Sequence, residues 1–202
     1  MRNEPFPFPN EIYPDDWFER LDAASLFSDN NPIELDIGCG DGSFLIRMGE
    51  QFPDRNFIGV ERLLGRVRKV SRKSVRTGLS NVRILRIDTK FGVKRLLPLA
   101  GASRIHFLCP DPWPKKKHAS RRQMCQLEFL RDLHSLLLPK GELLFKTDSP
   151  EYFEEALEVQ TSCDFFSEEE WPEDAFPYPQ TDFEEQWLAE GRTMHRMRLI
   201  KG

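Results

Sequence analysis

The chain has 202 residues, of which 39% are hydrophobic and 31% charged, and its formal net charge is -4. This length and balance suit one folded domain spanning residues 1–202 and exclude an intrinsically disordered chain. No apolar run approaches the roughly twenty residues that cross a bilayer, and the N-terminal residues lack the apolar core of a secretory signal. The four cysteines have no metal-binding spacing, so we expect reduced thiols, no metal site and a cytoplasmic protein without a membrane partner.

The predicted elements alternate along most of the chain. Residues 1–31 are rich in proline, aromatic and polar residues and predict an irregular lead-in, with a short helix at 15–27. From Ile33 onward, short apolar runs alternate with segments of helical periodicity. The predicted strands read "IELDIG", "NFIGVE", "NVRILRID", "RIHFLC" and "ELLFKTD", and one of the helices covers residues 120–137. This alternation predicts an α/β fold with a doubly wound, mostly parallel sheet.

Acidic side chains stand at the point where each predicted strand ends. They are Asp36, Glu61, Asp88, Asp111 and Asp148. In open parallel sheets, ligands bind at the carboxyl ends of the strands. We therefore expect a binding site to be built from these residues.

A glycine-rich loop follows the first predicted strand. The stretch "LDIGCGDG" places Gly38, Gly40 and Gly42 where a tight turn lets a ligand approach the backbone. The pattern is GxGxG and not the GxGxxG of dinucleotide-binding proteins. Glu61 ends the second strand about twenty residues on, where a carboxylate can accept both ribose hydroxyls. The alternatives are a solvated helix cap for Glu61 and a strand-terminating turn for Asp88.

Three prolines surround an aspartate and a tryptophan in "PDPWP", directly after the fourth strand. Because Asp111 and Trp113 each precede a proline, both are expected to be extended. The carboxylate would then be held at low entropic cost, which suits a catalytic or binding group. The alternative is a loop that simply leaves the sheet, with Trp113 filling the core.

The glycine loop and its acidic partners resemble those of class I S-adenosylmethionine-dependent methyltransferases. The resemblance implies a Rossmann-like sheet whose last strand is antiparallel. It also implies that S-adenosyl-L-methionine is the cofactor. By this comparison, Gly38 and Gly40 bind the cofactor, Asp36 lies near its methionine part, Glu61 binds the ribose and Asp88 lies by the adenine.

A more specific resemblance is carried by "PDPWPKKKHASRR", "KTDSPEY" and "TDFEEQWLAEGRTMHRM". These stretches are similar to the motifs of bacterial tRNA (guanine-N7-)-methyltransferases, in the same order, from about Ile33 to the C-terminus. The resemblance implies transfer of a methyl group to guanine N7 in tRNA by a monomer or homodimer. It makes Asp111 the active-site carboxylate beside the cofactor. The residues it assigns to the substrate and RNA are Lys115, Lys117, Arg121, Arg122, Asp148, Thr181, Phe183 and Glu184.

The sequence departs from the family motif at three positions and leaves rival functions open. Ala119 and Ser120 replace a usual His and Lys, and Asp182 replaces a common Lys. One rival is a methyltransferase for a small molecule or a protein, and another is a catalytically silent RNA-binding paralogue.

The charge distribution is compatible with RNA binding. Residues 150–190 contain fourteen acidic residues and neither lysine nor arginine, so the rest of the chain is basic. Cations on the helix after Glu61 form either a solvated face or a surface for tRNA phosphates.

Overall fold

The computed structural model describes residues 8–171 and 178–202. Two parts of the chain lie outside the described residues. They are residues 1–7 of the predicted lead-in and residues 172–177 of the acidic segment (residues 150–190). The chain divides into two compact units, residues 1–98 and 99–202. The single-domain organisation expected from the chain length stays a prediction.

The first unit is an α/β arrangement of parallel strands. The elements of this unit are β1 (Glu11–Ile12), a 3₁₀ turn (Ala23–Ser25), β2 (Ile33–Ile37), α1 (Ser43–Gln51), β3 (Asn56–Glu61), α2 (Leu64–Thr77), β4 (Val82–Arg86), the one-turn α3 (Thr89–Phe91) and a π-helical turn (Gly92–Leu96). The strands lie in the order β1-β4-β3-β2, and the paired strands run parallel.

The first unit is stabilised by strands that are buried along their length. Every residue of β2 and β3 is buried, including the acidic Glu34 and Asp36, which alternate with apolar residues in β2. Helix α2 buries Val67 and Val70 completely. Burying an aliphatic side chain of this size contributes roughly 1.5–3 kcal/mol, so this face holds the helix in the fold.

The second unit combines parallel and antiparallel strands. Its elements are β5 (Ala102–Leu108), 3₁₀ turns at Lys116–Arg121 and Gln123–Cys125, α4 (Leu127–Leu136), β6 (Leu137–Thr147), α5 (Pro150–Thr161), β7 (Phe166–Glu169), α6 (Asp182–Ala189) and β8 (His195–Lys201). The strands lie in the order β5-β6-β8-β7. Strands β5 and β6 pair in parallel, whereas β8 pairs antiparallel with β6 and with β7. The antiparallel last strand is therefore confirmed.

Two predicted helices differ from the structure. The helix expected at 15–27 is replaced by the 3₁₀ turn Ala23–Ser25, which Asp22 caps through the Ala24 N–H. The helix expected at 120–137 begins only at Leu127, because the preceding residues form 3₁₀ turns around a buried Arg122. The lead-in is also not wholly irregular, since β1 pairs with β4.

Within residues 8–171 and 178–202, no helix combines the length and the apolar character needed to cross a membrane. All four cysteines are free thiols.

Candidate active site

The glycine loop of the first unit leaves the sheet at the carboxyl end of β2. The amides of Gly38 and Cys39 both donate to the carbonyl oxygen of Val60, at 2.9 and 3.1 Å, so the ends of β2 and β3 lie side by side. Gly38 and Gly40 have φ angles of 81° and 58°. A Cβ added at either glycine would meet no described atom within 4 Å. The backbone here is therefore open, and ligand binding at this loop stays a prediction.

Asp36 lies in β2, just before this loop, and is buried. Its Oδ2 atom is buried and has no hydrogen-bond partner among the described residues. Burial, and the nearby charge of Glu61, raise the pKa of the Asp36 carboxyl to about 7. A buried acid without a cationic partner fits a ligand that brings a positive charge of its own.

Glu61 is buried at the carboxyl end of β3, and both of its oxygens contact the protein. Oε1 accepts from the Leu63 N–H at 2.7 Å, and Oε2 lies 3.5 Å from the Arg66 guanidinium. Glu61 thus bonds from a buried position to the N–H of Leu63, the N-cap residue of α2, and is not the solvated helix cap that the sequence offered as its alternative role. Its ribose-binding role stays a prediction.

Asp88 is exposed and accepts from the Lys90 and Phe91 N–H groups at 3.0 and 3.3 Å. It caps α3, so the structure places it in the turn that the sequence offered as the alternative. The adenine contact of Asp88 stays a prediction.

Sequence reasoning missed a contact between α2 and the glycine loop. The Lys73 ammonium lies 3.1 Å from Asp41 Oδ2 and 3.0 Å from Ser43 Oγ. This ion pair joins a cation of α2 to the loop that follows Gly40. The pattern of a single sequence cannot predict this ion pair, because its two residues are far apart in the chain.

In the second unit, Asp111 and Asp148 follow two adjacent strands. The Cys109 N–H donates to the Lys146 carbonyl oxygen at 2.8 Å, which holds the ends of β5 and β6 together. Asp111 follows β5 and is exposed. Asp148 follows β6, and its side chain is only 10% exposed. The structure therefore brings both predicted carboxylates to one edge of this sheet.

The Asp148 carboxylate has one paired and one unpaired oxygen. Oδ2 accepts from the Arg192 guanidinium at 2.7 Å. Oδ1 is buried, and no hydrogen-bond partner for it exists among the described residues. An unpaired buried oxygen held by an ion pair on its other side is suited to accept a hydrogen bond from a substrate.

The C-terminal motif, "TDFEEQWLAEGRTMHRM", reaches the edge of the sheet where Asp111 and Asp148 lie. Thr181 caps α6 by accepting from the Glu184 N–H at 3.0 Å, and its hydroxyl lies 3.6 Å from Cys109 Sγ. The buried Glu184 accepts from the Lys146 ammonium at 2.7 Å. Sequence reasoning missed Lys146, although a lysine within the apolar strand "ELLFKTD" was a usable signal. Phe183 is half exposed, with its ring 5.5 Å from that of Trp187.

The loop "PDPWP" (residues 110–114), called the proline loop, differs from the prediction. The sequence predicted an extended backbone for both residues that precede a proline. Trp113 has a φ of 45°, in the left-handed region, so the extended conformation predicted for it is wrong. Such a conformation costs roughly 1–3 kcal/mol and persists only where contacts impose it. The Arg121 guanidinium lies 4.6 Å from the centre of the Trp113 ring, and Arg122 donates to the Trp113 carbonyl oxygen.

The basic residues after the loop do not share one environment. Lys115, Lys117 and Arg121 are exposed, as expected for residues that meet RNA. The Arg122 side chain is 2% exposed and forms ion pairs with Glu151 and Glu155. In this structure Arg122 therefore contacts the protein, which differs from the RNA-facing position that the sequence predicted.

Comparisons with known proteins agree with the fold and the motifs. The family model described as "Putative methyltransferase" matches residues 30–197. A tRNA (guanine-N(7)-)-methyltransferase of Chlorobium phaeobacteroides is 35% identical over 176 residues, covering 86% of this chain and 83% of that protein. A relative of the same name from Thermotoga maritima is 31% identical over 172 residues, covering 85% of this chain but 55% of that protein. The chain thus spans just over half the length of the Thermotoga relative.

The fold is shared with a 16S rRNA methyltransferase, KamB, whose crystal structure matches at a TM-score of 0.61. The match has 19% sequence identity and covers 86% of this chain and 88% of that one, so it concerns the fold alone. The predicted α/β fold is confirmed, and its class is that of the class I methyltransferases. Within this class, the chain belongs to the family of tRNA (guanine-N(7)-)-methyltransferases.

The buried Lys146–Glu184 pair generates a stability prediction. We expect Lys146→Met to lower the free energy of unfolding by about 3–5 kcal/mol, because it leaves the buried Glu184 carboxylate without its cation. Glu184→Gln added to that variant should recover most of the loss. Urea denaturation of the single and double variants measures both effects. A single variant as stable as the original chain would show that the pair does not stabilise the fold.

Proposed function

We propose that this chain transfers the methyl group of S-adenosyl-L-methionine to N7 of a guanine in tRNA, forming 7-methylguanosine. The observation that carries this proposal is the edge of the second unit, where Asp148 has an unpaired buried oxygen next to the loop bearing Asp111. Exposed cations directly follow that loop. Relatives named tRNA (guanine-N(7)-)-methyltransferase support the choice of substrate.

The residues of the first unit fit the proposed cofactor. The unpaired Oδ2 of Asp36 would accept from the α-ammonium group, which supplies the positive charge that this buried carboxylate lacks. The open backbone at Gly38 and Gly40 would lie against the ligand. Glu61 would bind the ribose and Asp88 would lie by the adenine. When bound, S-adenosylmethionine supplies a methyl group already activated by its sulfonium.

The residues of the second unit have the donors and acceptors that a guanine requires. N7 carries a lone pair and no proton, so the transfer needs no general base. Asp148 would accept from the N1–H and N2–H₂ edge, and Asp111 would lie beside the base as positive charge develops on it. Thr181, Phe183 and Glu184 would border the base. Holding the acceptor in line with the methyl group can lower the barrier by up to about 7–11 kcal/mol.

Two groups of exposed cations would hold the tRNA backbone. The first group is Lys115, Lys117 and Arg121, next to the Asp111 loop. The second lies on α2, where Arg66, Arg68, Lys69, Arg72 and Arg76 are exposed. Phosphate contacts of this kind position the RNA, whereas contacts to base edges select the base.

The proposed activity is tested by incubating the protein with labelled S-adenosylmethionine and total tRNA. Mass spectrometry of the nucleosides should detect 7-methylguanosine. Asp111→Ala should lower turnover by orders of magnitude, because positioning is the main contribution of the protein to this reaction. Asp111→Asn separates the charge of the carboxylate from its shape. If the original chain forms no 7-methylguanosine, or does so equally well on free guanosine, the proposed function is wrong.

The raised pKa of Asp36, about 7, predicts that cofactor binding depends on pH. The ionised carboxylate binds an ammonium group, and the protonated form does so poorly. Affinity for S-adenosylhomocysteine, which keeps the same amino-acid end, should therefore rise several-fold between pH 6 and pH 7.5, since ionisation follows the pKa. Calorimetric titration across this range gives the profile. Asp36→Asn should bind more weakly with a flat profile, and a flat profile in the original chain would remove Asp36 from the cofactor site.

The cations of α2 predict a contribution to RNA binding that depends on salt. Arg68 and Arg76 are exposed, and Arg68→Gln with Arg76→Gln removes two positive charges without touching the apolar face. Each lost phosphate contact should flatten the plot of log affinity against log salt by roughly 0.7–0.9 units. Filter binding of tRNA at several salt concentrations measures the slope. An unchanged slope would mean that this face of α2 is only solvated.

A further inference from the structure

Arg121 and Arg122 are adjacent in the chain but lie in opposite environments. Arg121 is exposed, and its guanidinium lies over the Trp113 ring at 4.6 Å. The Arg122 side chain is 2% exposed. The two residues therefore cannot meet a phosphate in the same way, although the sequence suggests the same role for both.

The Arg122 guanidinium links the proline loop to α5. Nε donates to the Pro112 carbonyl oxygen at 2.8 Å, and Nη2 donates to the Trp113 carbonyl oxygen at 3.4 Å. On the other side, Nη1 donates to Glu155 at 2.6 Å and Nη2 donates to Glu151 at 3.2 Å. These contacts use the planar fork of donors that arginine has and lysine lacks.

The residues that Arg122 contacts lie close in the chain to both carboxylates of the candidate site. The two carbonyl groups belong to the residues that directly follow Asp111. Helix α5 begins at Pro150, just after Asp148, and Ser149 caps it by accepting from the Tyr152 N–H. The Arg122 guanidinium thus joins the loop that carries Asp111 to the helix that follows Asp148.

The contacts also account for the unusual backbone of the loop. Trp113 has a φ of 45°, a conformation that a non-glycine residue keeps only where its surroundings impose it. Arg122 donates to the backbone carbonyl group of Trp113, whereas Arg121 lies over the side-chain ring. Prolines restrict the loop, but they do not by themselves select this conformation.

We propose that Arg122 is a positioning residue that sets the location of Asp111 through α5, whereas Arg121 alone of the two contacts RNA. This inference rests on the proposed function and deepens it. Glu151 and Glu155 belong to the acidic stretch of residues 150–190. In this proposal they bind the Arg122 guanidinium, which in turn binds the loop that carries Asp111.

The test compares Arg121→Gln with Arg122→Gln in tRNA methylation and in tRNA binding across salt concentrations. Arg122→Gln should lower kcat by about tenfold or more, because a displaced loop loses alignment, while tRNA affinity keeps the salt slope of the original chain. Arg122→Lys should not restore kcat, since an ammonium cannot reproduce the fork. Arg121→Gln should instead raise KM for tRNA and flatten the slope by roughly 0.7–0.9 units.

Two further variants serve as a control and as a substitute for Arg122→Gln. Arg131→Gln removes an exposed arginine of α4, which lies over Phe165, and should leave kcat, KM and the salt slope unchanged. Glu155→Gln keeps the size of the side chain that accepts at 2.6 Å, and it should lower kcat with the slope unchanged. It replaces Arg122→Gln as the deciding variant if the latter fails to fold.

Several results would overturn the inference. An Arg122→Gln protein with a flattened salt slope and an unchanged kcat would make Arg122 an RNA contact. A Glu155→Gln protein with an unchanged kcat, beside an unfolded Arg122→Gln protein, would leave Arg122 with a purely structural role. Both results require an active original chain. Failure of the original chain to methylate tRNA would reject the proposed function instead.

Discussion

The candidate site depends on one physical constraint. A buried carboxylate needs a hydrogen-bond partner for each of its two oxygens, and in this site one oxygen of each of two carboxylates lacks such a partner in the part of the chain that the structure describes. A buried polar atom that lacks a hydrogen bond costs about 1–3 kcal/mol, and more when the group is charged. Asp36 and Asp148 each have one such oxygen among the described residues. Asp36 lies within β2, which is buried along its length, and Asp148 follows β6, whose last five residues are mostly buried. The core of each unit therefore offsets the cost of burying such a group.

The two carboxylates meet this constraint in different ways. No cation of the described residues pairs with Asp36, and its pKa of about 7 follows from burial and from the charge of Glu61. Asp148 is paired with Arg192 through its other oxygen and so stays in place as an acceptor. A ligand with an ammonium group suits the first environment, whereas the donor edge of a neutral base suits the second.

The cations of the chain divide between internal and external tasks. Arg122 and Lys146 are mostly buried and hold, respectively, the proline loop and Glu184. Lys115, Lys117 and Arg121 stay exposed, as do most cations of α2. A polyanion can therefore be bound by the exposed group without disturbing the buried one. This division also explains how a chain of net negative charge can present basic surfaces.

The amino-acid sequence by itself determined the parallel strands, the placement of acidic residues at their ends and the motifs of the family. These features are local, because strand periodicity, glycine loops and "PDPWP" are each read within a few residues. The limits of the helices at 15–27 and 120–137 were not predictable in this way, since 3₁₀ turns have no extended hydrophobic period.

Only the tertiary structure decided which basic residues face inward. The partners of Arg122 lie 29 and 33 residues away in the chain, and Glu184 lies 38 residues from Lys146. The sequence "SRR" is the same whether an arginine points toward solvent or toward α5. The left-handed conformation of Trp113 was likewise hidden, because the rule for a residue before proline favours an extended backbone there, whereas in the structure its carbonyl oxygen accepts a hydrogen bond from Arg122. Side-chain direction in a loop is set by partners that the fold brings together, and no local pattern contains them.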